Sequence, residues 1–223
     1  MRATVSYTGS AADFIPPRPT LATLREAAAR CHGCDLWAVG TQTVFGEGPR
    51  TAELMFVGEQ PGDQEDLAGE PFVGPSGRLL DAALEAAGIE RSHVYVTNAV
   101  KHFKWERGEK GKRRIHKKPN AMEIRACRPW LEEEIALVKP RVIVCLGATA
   151  AQSLLGKDFR VTQHRGEPVE SEWADAIFAT VHPSAVLRTP GPARERAERE
   201  FFADIDRAGA FIVSHAAQPG SSG

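Results

Sequence analysis

Polar side chains stand where apolar runs give out. Leu54-Met55-Phe56-Val57 ends in Gly58-Glu59-Gln60-Pro61-Gly62, with Asp63, Glu65 and Asp66 close behind; Val94-Tyr95-Val96-Thr97 ends in Asn98; the run from Ala176 to Val181 ends in His182-Pro183-Ser184. If each run is a parallel strand, Glu59, Asn98 and His182 share one rim, and ligands of open α/β sheets bind at that rim. Two glycines and a proline in the first turn force a sharp bend with exposed backbone. Plainer uses exist: Asp63 or Glu65 suits a helix N-terminus, and Asn98 suits an Asx turn. An Asn also offers donor and acceptor together, which fits the edge of a base or another amide-like group.

A second group lies between Lys101 and Pro119. This segment holds nine Lys or Arg against Glu106 and Glu109, a charge of +7, leaving −8 on the remainder of a chain whose net charge is −1. A one-signed stretch of this kind repels itself unless an anion gathers it, and nucleic acid is the economical partner. Phe103 and Trp105 are interleaved with the cations, and His116 sits within Lys112-Arg113-Arg114-Ile115-His116-Lys117-Lys118. Flanking cations favour a neutral imidazole, free to act as nucleophile or base; the plainer use is one more phosphate contact. Upstream, Pro71-Phe72-Val73-Gly74-Pro75 places one large aromatic in a flexible loop, able to plug the core or to stack on a base. Ser76 can cap the helix that follows, whose exposed amides could hold a phosphate.

The chain has four cysteines. Cys31-His32-Gly33-Cys34 follows a helical stretch rather than a strand, unlike a thioredoxin-type pair, so metal ligation needs two further donors. Cys127 and Cys145 are the remaining thiols. Burial alone would explain Cys145 within Val142-Ile143-Val144-Cys145-Leu146, whereas Arg125, Arg128 and Pro129 surround Cys127. A four-cysteine site admits zinc or an iron–sulfur cluster, and the scattered second half favours the cluster over a ribbon of paired Cys-x-x-Cys units.

These residues require a scaffold that ends several strands on one side. A chain of 223 residues with 42% hydrophobic content allows one sizeable core. Strands are expected at 54–57, 94–97, 141–146 and 176–181, and helices at 20–29, after Ser76, at 121–138 and from Gly147 to Leu155, an α/β pattern. Residues 159–170 read as an irregular or antiparallel excursion and 192–213 as a charged closing helix. The domain spans 18–213 with the basic loop 101–119 inserted, a loosely attached arm at 1–17 and a disordered tail at 214–223. No run approaches the eighteen or so apolar residues of a membrane span, and the N-terminus lacks the order of a signal peptide, so a cytosolic protein without a membrane partner is expected.

Taken in order, the motifs resemble those of the uracil-DNA glycosylase superfamily, specifically its iron–sulfur family 4 and, more closely, the UdgX branch. The likeness runs from about Cys31 to Arg188. Gly58-Glu59-Gln60-Pro61-Gly62 is similar to the first active-site motif, with Gln60 where family 4 usually has Ala. Pro71 to Pro75 resembles the uracil-stacking loop, Asn98 the uracil-reading residue, and His182-Pro183-Ser184 the second active-site motif. Lys112-Arg113-Arg114-Ile115-His116 resembles the UdgX loop whose histidine joins covalently to DNA.

The resemblance implies a single-domain three-layer α/β/α fold around a four-stranded, mainly parallel twisted sheet, acting as a monomer on uracil-containing DNA, single strands favoured. It implies a [4Fe–4S] cluster on Cys31, Cys34, Cys127 and Cys145. Phe72 would stack on a flipped uracil, Asn98 would read its edge beside Asp63, and His182 would donate to a uracil oxygen. His116 would attack C1′ while Glu59 takes its second ring proton; Gln60 would position the sugar or exclude water. Lys112, Arg113, Arg114, Ser184 and Arg188 would contact phosphates.

Overall fold

The computed structural model describes residues 9–108 and 113–215. In chain order the first elements are α1 (Leu21–Ala28), β1 (Leu54–Gly58), α2 (Asp63–Ala68), α3 (Pro75–Ala86), β2 (Val94–Asn98), β3 (Trp105–Arg107) and β4 (Arg114–His116). Then follow α4 (Ala121–Val138), β5 (Val142–Leu146), α5 (Ala148–Leu155), β6 (Ala176–Thr180), α6 (Pro183–Arg188) and α7 (Pro192–His215). No helix among the described residues is long and apolar enough to cross a membrane.

The four five-residue runs form one parallel sheet in the order β2-β1-β5-β6. All of their residues are buried, as parallel strands covered on both faces require. Alternation along each strand divides the core in two. Leu54 and Phe56 of β1 pack with α3, α6 and α7 through Leu80, Leu84, Val186 and Phe201. Met55 and Val57 pack on the opposite face with α4 and α5 through Leu131, Ile135, Ala151 and Leu154. The result is the three-layer α/β/α arrangement.

Local signals fix the helix ends. Asn120 caps α4 by accepting the Glu123 N–H at 2.9 Å, and α4 stops at Lys139, which takes φ 54° ahead of Pro140. Ser76 does not cap α3: Gly74 is the cap and Pro75 the first helical residue, a position where the missing N–H of proline costs nothing. Beneath the β2 end, Lys101 Nζ is buried and bonds Glu134 Oε2 at 2.5 Å, Thr97 Oγ1 at 2.7 Å and the Asn98 carbonyl at 2.7 Å. Three acceptors satisfy the three ammonium protons, the condition under which a buried cation is tolerated.

Two segments differ from expectation. The stretch read as a loose arm is packed from residue 9 onward: Ser10 caps a helical turn over Ala11–Phe14, and Ala11 is fully buried beside α1 and α4. The basic segment is a hairpin rather than a loop. β3 and β4 pair antiparallel with Trp105 opposite His116 and Arg107 opposite Arg114. Lys112, which the motif placed among DNA contacts, lies outside the described residues, as do residues 1–8 and 216–223.

Candidate active site

The chain leaves β1 for β2 on one side and returns to β5 and β6 on the other, so the carboxyl ends of β1 and β5 flank the switch point of the sheet. A cavity of about 520 Å³ opens there, and Glu59, Gln60, Phe72, Asn98, His116 and His182 all line it. The expected convergence of Glu59, Asn98 and His182 is therefore present, and the hairpin adds His116 to it.

Gly58 explains one wall. A Cβ on this last residue of β1 would fall 2.3 Å from Asn98 Oδ1 and 2.8 Å from Phe72 Cζ, so the aromatic edge and the amide meet over bare backbone. Phe72 itself takes φ 59°, a left-handed conformation that a bulky residue adopts only when its surroundings impose it. Its carbonyl is crowded by Gly77, where no Cβ could be accommodated. The loop thus holds the ring both against the core and at the cavity.

His182 forms the opposite wall. Its Nδ1 lies 3.1 Å from the Ser184 N–H and 2.8 Å from Ser184 Oγ. Accepting the backbone N–H fixes Nδ1 as the lone-pair nitrogen, which places the ring proton on Nε2. Burial pushes the imidazole down to about 4, with His116 and Arg188 acting in the same sense, so the ring is a neutral donor at pH 7.

His116 is governed by Gln60. The Gln60 amide is oriented by two backbone partners, its Oε1 accepting the Lys104 N–H at 3.1 Å and its Nε2 donating to the Lys117 carbonyl at 3.0 Å. The same Nε2 lies 2.9 Å from His116 Nε2, which must then accept, leaving the ring proton on Nδ1. Burial, chiefly, holds the His116 imidazole below its ordinary range; Glu59 opposes this and Arg188 assists it. The sequence neighbours do not supply the shift as expected. Glu59 Oε1 stands 3.7 Å from Nε2, the lone-pair atom, so it is not placed to take the Nδ1 proton.

Arg114 and Asp63 are spent on each other. Arg114 bonds Asp63 Oδ1 at 2.5 Å, Asp66 Oδ2 at 2.5 Å and Thr41 Oγ1 at 3.0 Å, with its guanidinium over the rings of Phe103 and Trp105. It latches the hairpin to α2 instead of meeting a phosphate, and Asp63 lies outside the cavity wall, in the latch rather than beside a base. Arg113 is exposed on the hairpin. Ser184 and Arg188 do line the cavity, and so do Glu65 and Lys118, to which the resemblance gave no role.

The thiols divide. Cys31, Cys34 and Cys127 belong to one cluster with α1 and α4, whereas Cys145 lies in the separate core cluster between the sheet and α4 and α5, among Ile143, Ile177 and Ala179. Burial chiefly, with Cys34 and Cys31 acting in the same sense, pushes Cys127 up to about 12, while burial alone pushes Cys145 up to about 12. Two N–H groups already aim at sulfur: Lys101 N at 3.2 Å from Cys127 Sγ and Trp130 Nε1 at 3.4 Å from Cys31 Sγ. Donors of this kind accompany metal-bound thiolates. Next to Lys101, His102 is buried and pushed down to about 4 by desolvation, and its Nε2 lies 2.9 Å from Thr43 Oγ1. Among the described residues no three His, Cys, Asp or Glu side chains close on a single point as around one ion.

Residues 45–206 match the family model described as the uracil DNA glycosylase superfamily. The chain is 36% identical over 188 residues to the type-4 uracil-DNA glycosylase of Thermotoga maritima, covering 84% of this chain and 92% of that protein. It is 38% identical over 178 residues to the type-4 uracil-DNA glycosylase of Archaeoglobus fulgidus, covering 77% and 84%. A type-5 uracil-DNA glycosylase of Pyrobaculum aerophilum is 28% identical over 184 residues.

Proposed function

Because the chain belongs to the uracil-DNA glycosylase superfamily, we propose that its cavity removes uracil from DNA. The observation that carries this reading is the meeting of Phe72 and Asn98 over Gly58, with the neutral donor His182 lining the same cavity. A flipped uracil stacks on Phe72 while Asn98 reads its edge, and cytosine presents the reversed donor and acceptor order. As the bond from C1′ to N1 breaks, the electron pair leaves with uracil, and the Nε2–H of His182 stabilises the charge that develops on a uracil oxygen. Glu59 faces the sugar cation. Ser184, Arg188 and Lys118 supply the phosphate contacts at the cavity mouth, and a single strand is the favoured substrate because its bases need no unpairing.

Release of free uracil from a uracil-containing single strand tests this. Wild-type protein should release uracil but neither cytosine nor thymine, and Asn98→Ala should lose about a hundredfold in rate. Absence of release from any uracil-containing strand refutes the assignment.

The fate of the sugar admits two readings. Attack by water with turnover is supported by the type-4 relatives. Covalent capture, the UdgX-like reading, is supported by one observation: His116 lines the cavity with Nε2 3.7 Å from Glu59 Oε1, and that nitrogen would attack on release from the Gln60 N–H. In that reading Nε2 forms a bond to C1′ as uracil departs, Glu59 offsets the positive charge, and the Nδ1 proton passes to solvent, leaving a neutral alkylated imidazole. A heat-stable shifted band on a denaturing gel, lost in His116→Ser while uracil release persists, supports capture. Free uracil without a band supports turnover.

A [4Fe–4S] cluster would be held by Cys31, Cys34 and Cys127, of which Cys31 and Cys127 already receive N–H donors at sulfur, with His102 as the fourth donor in place of Cys145, which lies in another core cluster. When bound it supplies structure, tying the N-terminal segment to α4 and to the turn after Asn98.

A further inference from the structure

The Glu59 carboxylate has two oxygens, and the site uses them differently. Oε1 faces the cavity near His116, while Oε2 is bonded to the Thr149 hydroxyl. A carboxylate oxygen only accepts, so Thr149 is the donor. We propose that Thr149 is a positioning residue for excision, acting through Glu59: it selects one carboxylate rotamer. This deepens the reading of the cavity as a site of uracil removal and rests on it.

Thr149 is well placed for such a role. It is buried in the first turn of α5, two residues after Gly147. Gly147 takes φ 94°, donates its N–H to the Thr180 carbonyl at 2.9 Å, and leaves only 3.1 Å between an added Cβ and His182 Cβ. The turn from β5 into α5 is therefore fixed to the end of β6, immediately before His182. Thr149 carries that rigidity across to Glu59, whose own side chain is 21% exposed and otherwise free to choose among rotamers. The ordinary use of a threonine in a first helical turn is a bond to local backbone; here the hydroxyl turns to a carboxylate 90 positions away. Charge-assisted bonds of this type are short and directional, and a carboxylate held in one place is what a developing sugar cation requires.

The other charged or titratable groups around this carboxylate are His116 from β4, His182 and Arg188 from the β6–α6 stretch, Glu65 from α2 and Lys118 beyond the hairpin. All are shared by the proteins to be compared, so a difference between them reports the hydroxyl.

Thr149→Val removes the donor at nearly constant volume, and Thr149→Ser keeps it. Single-turnover uracil release by Thr149→Val should fall roughly tenfold to a hundredfold, with affinity for uracil-free DNA unchanged. Thr149→Ser should recover most of the rate. In a crystal structure of the free protein, Thr149→Val should leave the Glu59 carboxylate in more than one rotamer, where wild type and Thr149→Ser hold one. That readout needs no substrate: a wild type that releases no uracil would sink the reaction assigned to the cavity, and with it a role in excision, while a loosened carboxylate would preserve the coupling of Thr149 to Glu59. Wild-type rate and a single wild-type rotamer in Thr149→Val overturn the proposal, as does an equal loss of rate in Thr149→Ser.

Discussion

Gln60 Nε2 lies 2.9 Å from His116 Nε2, and two backbone bonds to Lys104 and Lys117 leave the amide no freedom to turn over. One buried glutamine thus sets the hairpin's distance from β1 and decides which nitrogen of His116 carries the lone pair. Gln60→Ala should slow formation of the heat-stable adduct on the order of tenfold to a hundredfold while uracil release changes little, measured by band intensity and free base in the same time course. Equal slowing of both would place Gln60 in excision itself.

Arg114 and Arg188 are both basic residues of the site, yet their replacements should differ in kind. Asp66 is fully buried, so Arg114→Ala strands a carboxylate whose remaining partner is the Thr41 N–H, a loss of about 3 kcal/mol in urea unfolding. Its effect on the salt dependence of DNA binding should be nil. Arg188→Ala should leave stability intact and lower the slope of log affinity against log salt by about one.

Acid should weaken the fold through His182. Its folded value of about 4 lies below the ordinary 6.5, so the unfolded chain binds the extra proton first; the stability this gives is complete above pH 6.5 and is lost as pH falls toward 4. Between pH 7 and 5 wild type should lose up to about 2 kcal/mol that His182→Asn does not lose, read from urea midpoints. The ring borders an open cavity, which makes this an upper figure.

Cys145→Ala should retain iron and the visible absorbance of a cluster, at a packing cost of about 1 kcal/mol. Cys127→Ala should lose both. Iron lost from Cys145→Ala would return that thiol to the ligand set.

The strands and their terminal residues were legible because unbroken apolar runs end abruptly in Glu59, Asn98 and His182, and a parallel sheet leaves such ends on one side. The latch was not. Arg114 meets Asp63 and Asp66 across 51 and 48 positions, and within the sequence it is indistinguishable from the cations beside it. Counting thiols suggested a four-cysteine set, but alternation with Val144 and Leu146 turns Cys145 into the core cluster of Leu131 and Ile135, which contains none of the other three thiols. The role of Gln60 was hidden for a different reason: its partners are mainly backbone groups of Lys104 and Lys117, which any side chains could have presented.

Among the described residues the β3–β4 hairpin shares no ladder bond with the four-stranded sheet; it is attached by Gln60, by the Arg114 latch and by Trp105 Nε1 on the Val39 carbonyl at 2.8 Å. An appendage fastened by a handful of side chains can be grafted or excised without rewiring the body beneath it. Transplanting residues 105–116 together with Gln60, Asp63 and Asp66 into a protein of the same fold that lacks them is therefore a compact engineering problem, and the number of fasteners needed to bring His116 to the rim is countable in advance.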